Sequence, residues 1–135
     1  MHRLYPLAVI LILSGCTVLS PVSGYKKSLT KATAERWAGG ARGSGRGVTF
    51  RLHFYQLETE IKTDTLWVND IPLTTEVTHV GDTTFVNASY FSAMPVQKSL
   101  ANDLDYSGHL QLYIKDQAKR LPITTFTIKT AEYQL

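Results

Sequence analysis

Asp103-Leu104-Asp105-Tyr106-Ser107-Gly108 carries oxygen-bearing side chains at its first, third and fifth places and glycine at its sixth. That is the front half of a calcium-binding loop, in which alternate oxygens converge on one hard cation and the glycine permits a sharp turn. Leu110 falls where such loops place an apolar residue, but Ile114 stands where a bidentate Glu should close the shell. Asp103, Asp105 and Ser107 therefore form an incomplete ligand set, and affinity would depend on a second loop. The plainer reading is a solvated acidic loop ahead of the strand at Leu110.

Five of the nine glycines lie in Gly39-Gly40-Ala41-Arg42-Gly43-Ser44-Gly45-Arg46-Gly47. Glycine amides can form an anion-binding nest, to which Arg42 and Arg46 would add charge and bidentate donors. The segment lacks the Gly-Lys-Ser/Thr ending of a phosphate loop, and it leads into a strand where a dinucleotide fingerprint would open a helix. A bulged or flexible connection, using glycine for positive φ, explains it equally well. His53, His79 and His109 have no close-spaced ligand partner, and His53 and His109 fall on the polar faces of predicted strands. Glu58, Glu60 and Asp64 would supply paired carboxylates only at a separation that sequence does not fix. No Gly-x-Ser-x-Gly or reactive cysteine accompanies them, so the expectation is a protein without catalytic activity.

The elements that would position these groups read as β-structure. Val48, Phe50, Leu52 and Phe54 alternate with Thr49, Arg51, His53 and Tyr55, the period of a strand with one buried face. Thr65-Leu66-Trp67-Val68 leads into a tight turn at Asn69-Asp70 and then Ile71-Pro72-Leu73, where Pro72 marks an edge or a strand start. Val77–Val80 and Thr83–Phe91 flank Gly81-Asp82, which suits a type II′ hairpin. His109–Ile114 alternates again, and Lys115-Asp116-Gln117-Ala118 turns the chain into Leu121–Lys129. In that last run the apolar parity changes from Leu121 and Ile123 to Phe126 and Ile128, which predicts a bulge at Thr124-Thr125. Leu29–Ala38 fits either a short helix capped by Ser28 or an opening strand; the strand is preferred as a partner for Val48–Leu57. The fold class is all-β, an immunoglobulin-like or related antiparallel β-sandwich, with a small antiparallel β-barrel as the alternative.

The chain has 135 residues with 44% hydrophobic and 19% charged, which suits one globular domain and excludes a coiled coil, a collagen-like fibre and a polytopic membrane protein. Met1-His2-Arg3 is basic, and the apolar run Leu7–Leu13 has the length of a signal-peptide core and is too short for the roughly 20 residues of a membrane span. Leu13-Ser14-Gly15-Cys16 follows, and Cys16 is the sole cysteine. This stretch resembles the lipobox of bacterial lipoproteins at all four positions. The resemblance implies cleavage before Cys16, a diacylglycerol thioether on its sulfur and acylation of the new terminus, and two or more chains hold a protein on a membrane durably. The expected organisation is a lipoprotein signal peptide at 1–15, a lipidated tether at 16–28 and a β-sandwich domain at 29–135. Thr17 stands where inner-membrane retention would want Asp, which by the same resemblance implies the outer membrane, facing the periplasm.

Seven basic residues face Glu35 alone between Tyr25 and Arg51, a balance of +6, whereas six basic and ten acidic residues from Leu52 to Leu135 give −4. The basic segment would lie against anionic headgroups or pair with the acidic remainder of its own fold. A net charge of +3, without basic residues interleaved among stacking aromatics, does not suit nucleic acid. Trp37-Ala38-Gly39-Gly40, Leu66-Trp67-Val68-Asn69 and Gly108-His109-Leu110, together with the lipobox, make the whole chain similar to small β-rich lipoproteins of Bacteroidota. That origin implies that Asp64-Thr65-Leu66 and Asp82-Thr83-Thr84 resemble O-glycosylation signals, the second on an exposed turn. The function expected is a lipid-anchored, non-catalytic binding or accessory module for another envelope protein. Trp67, Tyr90 and Tyr106 would be its anchors if exposed, although core packing is the expectation for Trp67. The alternative is small-ligand or calcium binding, with no other cofactor.

Overall fold

The computed structural model describes residues 21–38, 46–92, 100 and 103–130. Its elements are a six-residue helix α1 (Ser23–Ser28) and eight strands: β1 (Leu29–Ala38), β2 (Arg46–Tyr55), β3 (Thr63–Val68), β4 (Ile71–Val80), β5 (Thr83–Ser92), β6 (Gly108–Ile114), β7 (Gln117–Ile123) and β8 (Thr127–Thr130). They form one curled sheet in the order β7-β6-β3-β4-β5-β2-β1-β8, antiparallel except for the β1/β8 pair. The all-β expectation holds, as a sandwich or half-barrel. Among the described residues no helix is long and apolar enough to cross a membrane.

The long strand β4 makes the curl. Ile71–Thr74 pairs with β3, and Thr75–Val80 pairs with β5, so β4 passes from one half of the sheet to the other. Pro72 lies in the first part, where β4 is paired with β3 and its ladder with β5 has not begun, which accommodates a residue lacking a donor. The buried side chains run in cross-strand rows. Leu73, Leu66, Leu110 and Leu121 form one, while Val86 and Leu52 continue a second toward Ala32. Phe50 sits between the halves, edge-to-face with Tyr106 at 5.0 Å and with Phe126 at 5.2 Å. Each such side chain contributes about 1.5–3 kcal/mol by leaving water, which explains how a domain without a cysteine holds together.

The turns follow the sequence closely. Gly81 has φ +59°, as the first position of a type II′ turn requires. Asn69 and Asp70 (φ +48° and +68°) and Lys115 and Asp116 (φ +51° and +63°) form the left-handed pairs of tight hairpins. Leu29–Ala38 is the strand preferred above, and it pairs with β2 from Leu29↔Phe54 to Ala38↔Arg46.

Two expectations are corrected. The run Leu121–Lys129 is not one bulged strand: β7 ends at Ile123 on one edge of the sheet and β8 begins at Thr127 on the other. Three residues, spanning at most about 14 Å, join them, so the edges approach one another there and buried Phe126 fills the seam. The parity change is a change of edge, which periodicity alone cannot distinguish from a bulge. Residues 21–28 are also more than a tether, because α1 packs against the domain and buries Tyr25.

Candidate functional site

The acidic loop is held shut by the turn opposite it. Asn69 projects its amide into the Asp103–Ser107 loop, where Nδ2 donates to Asp103 Oδ2 (2.8 Å) and to the Asp105 carbonyl (3.0 Å). Its Oδ1 accepts from the Ser107 amide (3.1 Å), and its own backbone amide donates to the Ser107 carbonyl (2.9 Å). The Asn69 amide thus engages one carboxylate oxygen of Asp103, the first of the residues that the spacing offers to a cation. Among the described residues no three His, Cys, Asp or Glu side chains gather as a metal site. From the other side Arg36, on the inner face of β1, donates through Nε to Tyr106 Oη (3.1 Å) and through Nη2 to the Asp103 carbonyl. Tyr106 in turn donates to the Leu100 carbonyl. Burial pushes the Tyr106 phenol up, against the opposing pull of the Arg36 guanidinium.

Tyr106 is therefore corrected as a contact anchor: it is 1% exposed and belongs to the core. Tyr90 lies on the inner face of β5, opposite Val48, and is half-buried. Trp67 is corrected in the other direction. It is on the outer face of β3, its indole stacked on His109 at 6.1 Å with planes 20° apart. Register places Pro72 on one flank and Pro122 beyond His109, so Pro72, Trp67, His109 and Pro122 form one outward row across β4, β3, β6 and β7. Both prolines are exposed. His109 is held below its ordinary value, by burial first and by the Arg120 charge second, with Asp70 opposing. The row is thus an apolar, aromatic strip with an imidazole biased toward its neutral form. The alternation of β3 could have revealed it, because Leu66 and Val68 are inward and Trp67 has the opposite parity.

A second aromatic pair lies on the outer face of the other half. Trp37 stacks on Phe91 at 5.6 Å with planes 10° apart, bridging Gly47 between them. Its indole nitrogen donates to Thr49 Oγ1 (3.2 Å). A Cβ at Gly47 would stand 2.1 Å from the indole. Packing thus accounts for the last glycine of the glycine-arginine segment. Gly47→Ala is expected to lift Trp37 off Phe91 and cost about 1–3 kcal/mol, read as a red-shifted tryptophan emission together with a lowered unfolding midpoint. Arg42 lies outside the described residues, as do Cys16 and the rest of the lipobox; Arg46 is exposed at the start of β2.

Two clefts open at the opposite end of the sheet. One, of about 400 Å³, lies between α1 and the β2–β3 connection and is bounded by Tyr25, Lys27, Gln56 and Glu58. Its neighbour, of about 310 Å³, gathers Glu60, His79, Asp82 and Thr84. His79 Nδ1 lies 3.1 Å from Thr84 Oγ1. Asp64 accepts from Tyr113 Oη (2.9 Å) and Thr65 Oγ1 (3.0 Å). Of the central threonines of the two glycosylation-like triplets, Thr65 is half-buried within β3 and Thr83 is half-buried at the start of β5. No family model, characterised protein or solved structure matches the chain.

Proposed function

We propose that the protein is a lipid-anchored module of the cell envelope that binds another envelope protein without chemistry of its own, using the Pro72–Trp67–His109–Pro122 row as its contact surface. Anchoring rests on the resemblance of Leu13-Ser14-Gly15-Cys16 to a lipobox. The observation that carries the binding role is the outward Trp67. A large aromatic side chain presented on a rigid sheet between two exposed prolines is the composition from which interface hot spots are built, with little conformational entropy to lose. Two of the carboxylates that could serve a ligand accept hydrogen bonds within the fold, Asp103 from Asn69 and Asp64 from Tyr113.

In-cell crosslinking followed by recovery of the tagged, lipidated protein tests this reading, with Trp67→Ala and Cys16→Ala beside the native chain. Trp67→Ala should weaken recovery of the partner by about tenfold or more, the 1.4 kcal/mol or greater typical of a hot spot, while its unfolding midpoint stays within a few degrees. Cys16→Ala should lose the partner through loss of the membrane. Equal recovery by native protein and Trp67→Ala would remove the row from the interface.

A further inference from the structure

Lys31, Lys129, His53 and Arg51 come together on the outer face of the half-sheet that Trp67 does not occupy, and we propose that they form a binding site for a phosphate group. The register sets three of them side by side: Lys31 is directly opposite His53 across β1 and β2, and Arg51 is the next outward residue of β2. Lys129 arrives from β8, the parallel strand on the far side of β1. Phe85 on β5 forms the floor. His53 meets its ring edge-on at 4.9 Å, and the Arg51 guanidinium lies over it at 5.7 Å. Arg51 Nε is fixed by Asn87 Oδ1 at 2.7 Å, which orients the planar fork and leaves its other donors for a ligand.

The charges that act on Lys31 and His53 here are positive. The nearby Lys129 amine lowers Lys31 from the ordinary lysine value. His53 is lowered by partial burial and then by Lys31, Arg51 and Lys129; every charge acting on it is positive. The carboxylates on this face among the described residues are Glu35 on β1, opposite Lys129, and Glu76 on β4, opposite Asn87. Neither is among the charges that act on Lys31 or His53. Like charges gathered from three strands, with an oriented guanidinium among them, are stabilised by a multivalent oxyanion. Phosphate matches both the fork of Arg51 and the lysine amines beside it.

Imidazole titration by NMR reads the site directly, using the full histidine-labelled chain in phosphatidylcholine nanodiscs with His53→Gln to identify the resonance. Inorganic phosphate, against chloride at equal ionic strength, should raise the pKa of His53 by about half a unit to one unit, because an anion within reach favours the imidazolium. Lys31→Gln with Lys129→Gln should raise the His53 pKa in chloride, by removing two cations, and abolish the phosphate response. Nanodiscs containing phosphatidylglycerol form the second arm. A shift there without one from inorganic phosphate would assign the ligand to a lipid headgroup, and a shift in both would assign the phosphate group itself. Identical titration under all three conditions, or a phosphate response that survives in the double variant, would overturn the site.

Discussion

Gly108→Ala is expected to abolish the folded domain at ordinary temperature. Gly108 opens β6 against Val68, and a Cβ there would stand 1.7 Å from the Trp67 carbonyl oxygen and 2.7 Å from its carbonyl carbon. Both are backbone atoms of the adjoining strand, so no side chain can swing aside. The strands must separate, which breaks the β3/β6 ladder at the point where β6 also pairs with Ile123 of β7. A loss of about 4–5 kcal/mol is expected, at the extreme of single substitutions and comparable to the whole stability of a small domain. Denaturant unfolding monitored by tryptophan emission measures it. Gly24→Ala supplies the contrast, because nothing lies within 4 Å of its added Cβ; its midpoint should stay close to the native one.

The second large effect belongs to Asn69. Asn69→Ala removes three side-chain hydrogen bonds to the Asp103–Ser107 loop and places a Cβ-bearing residue at φ +48° without the local polar compensation that lets Asn tolerate it. With about 0.5–1.5 kcal/mol for each bond and about 1 kcal/mol for the backbone, the expected cost is about 3–4 kcal/mol. Asn69→Gly keeps the turn and loses only the bonds, so the difference between the two variants isolates the backbone contribution. Hydrogen exchange at the Ser107 amide should quicken in both. If Asn69→Ala melts with the native protein, the loop is held by Arg36, Tyr106 and the backbone bond from residue 69 to Ser107.

Local pattern was legible here wherever one strand's own alternation decided the outcome. The inward faces of β2 and β6 were evident from Phe50, Leu52, Leu110 and Leu112, and the turns at Gly81 and Asn69 from residues that tolerate positive φ. What the sequence hid were relations between distant segments. The change of edge at Thr124–Phe126 looks like a bulge until the sheet is known to curl back on itself. The calcium-like spacing of Asp103, Asp105 and Ser107 is real, but Asp103 is engaged from a turn 34 residues earlier. Trp67 was assigned to the core because large aromatics usually bury themselves, although its parity against Leu66 and Val68 pointed outward. The cationic cluster is visible only once β8 is placed beside β1, because Lys31 and Lys129 are far apart in the chain.

The parallel pairing of β1 with β8 also sets an order of events. The earliest strand cannot acquire its second neighbour until Thr127–Thr130 has been made and has crossed the seam behind Phe126. Contacts of such long sequence separation form late and slow the folding of β proteins. A chain leaving the ribosome would therefore keep the outer edge of β1 open until Thr127–Thr130 has emerged. The same open edge is the place where a second incomplete copy would pair, which makes timely arrival of β8 the step that separates a completed sheet from a swapped or aggregated one.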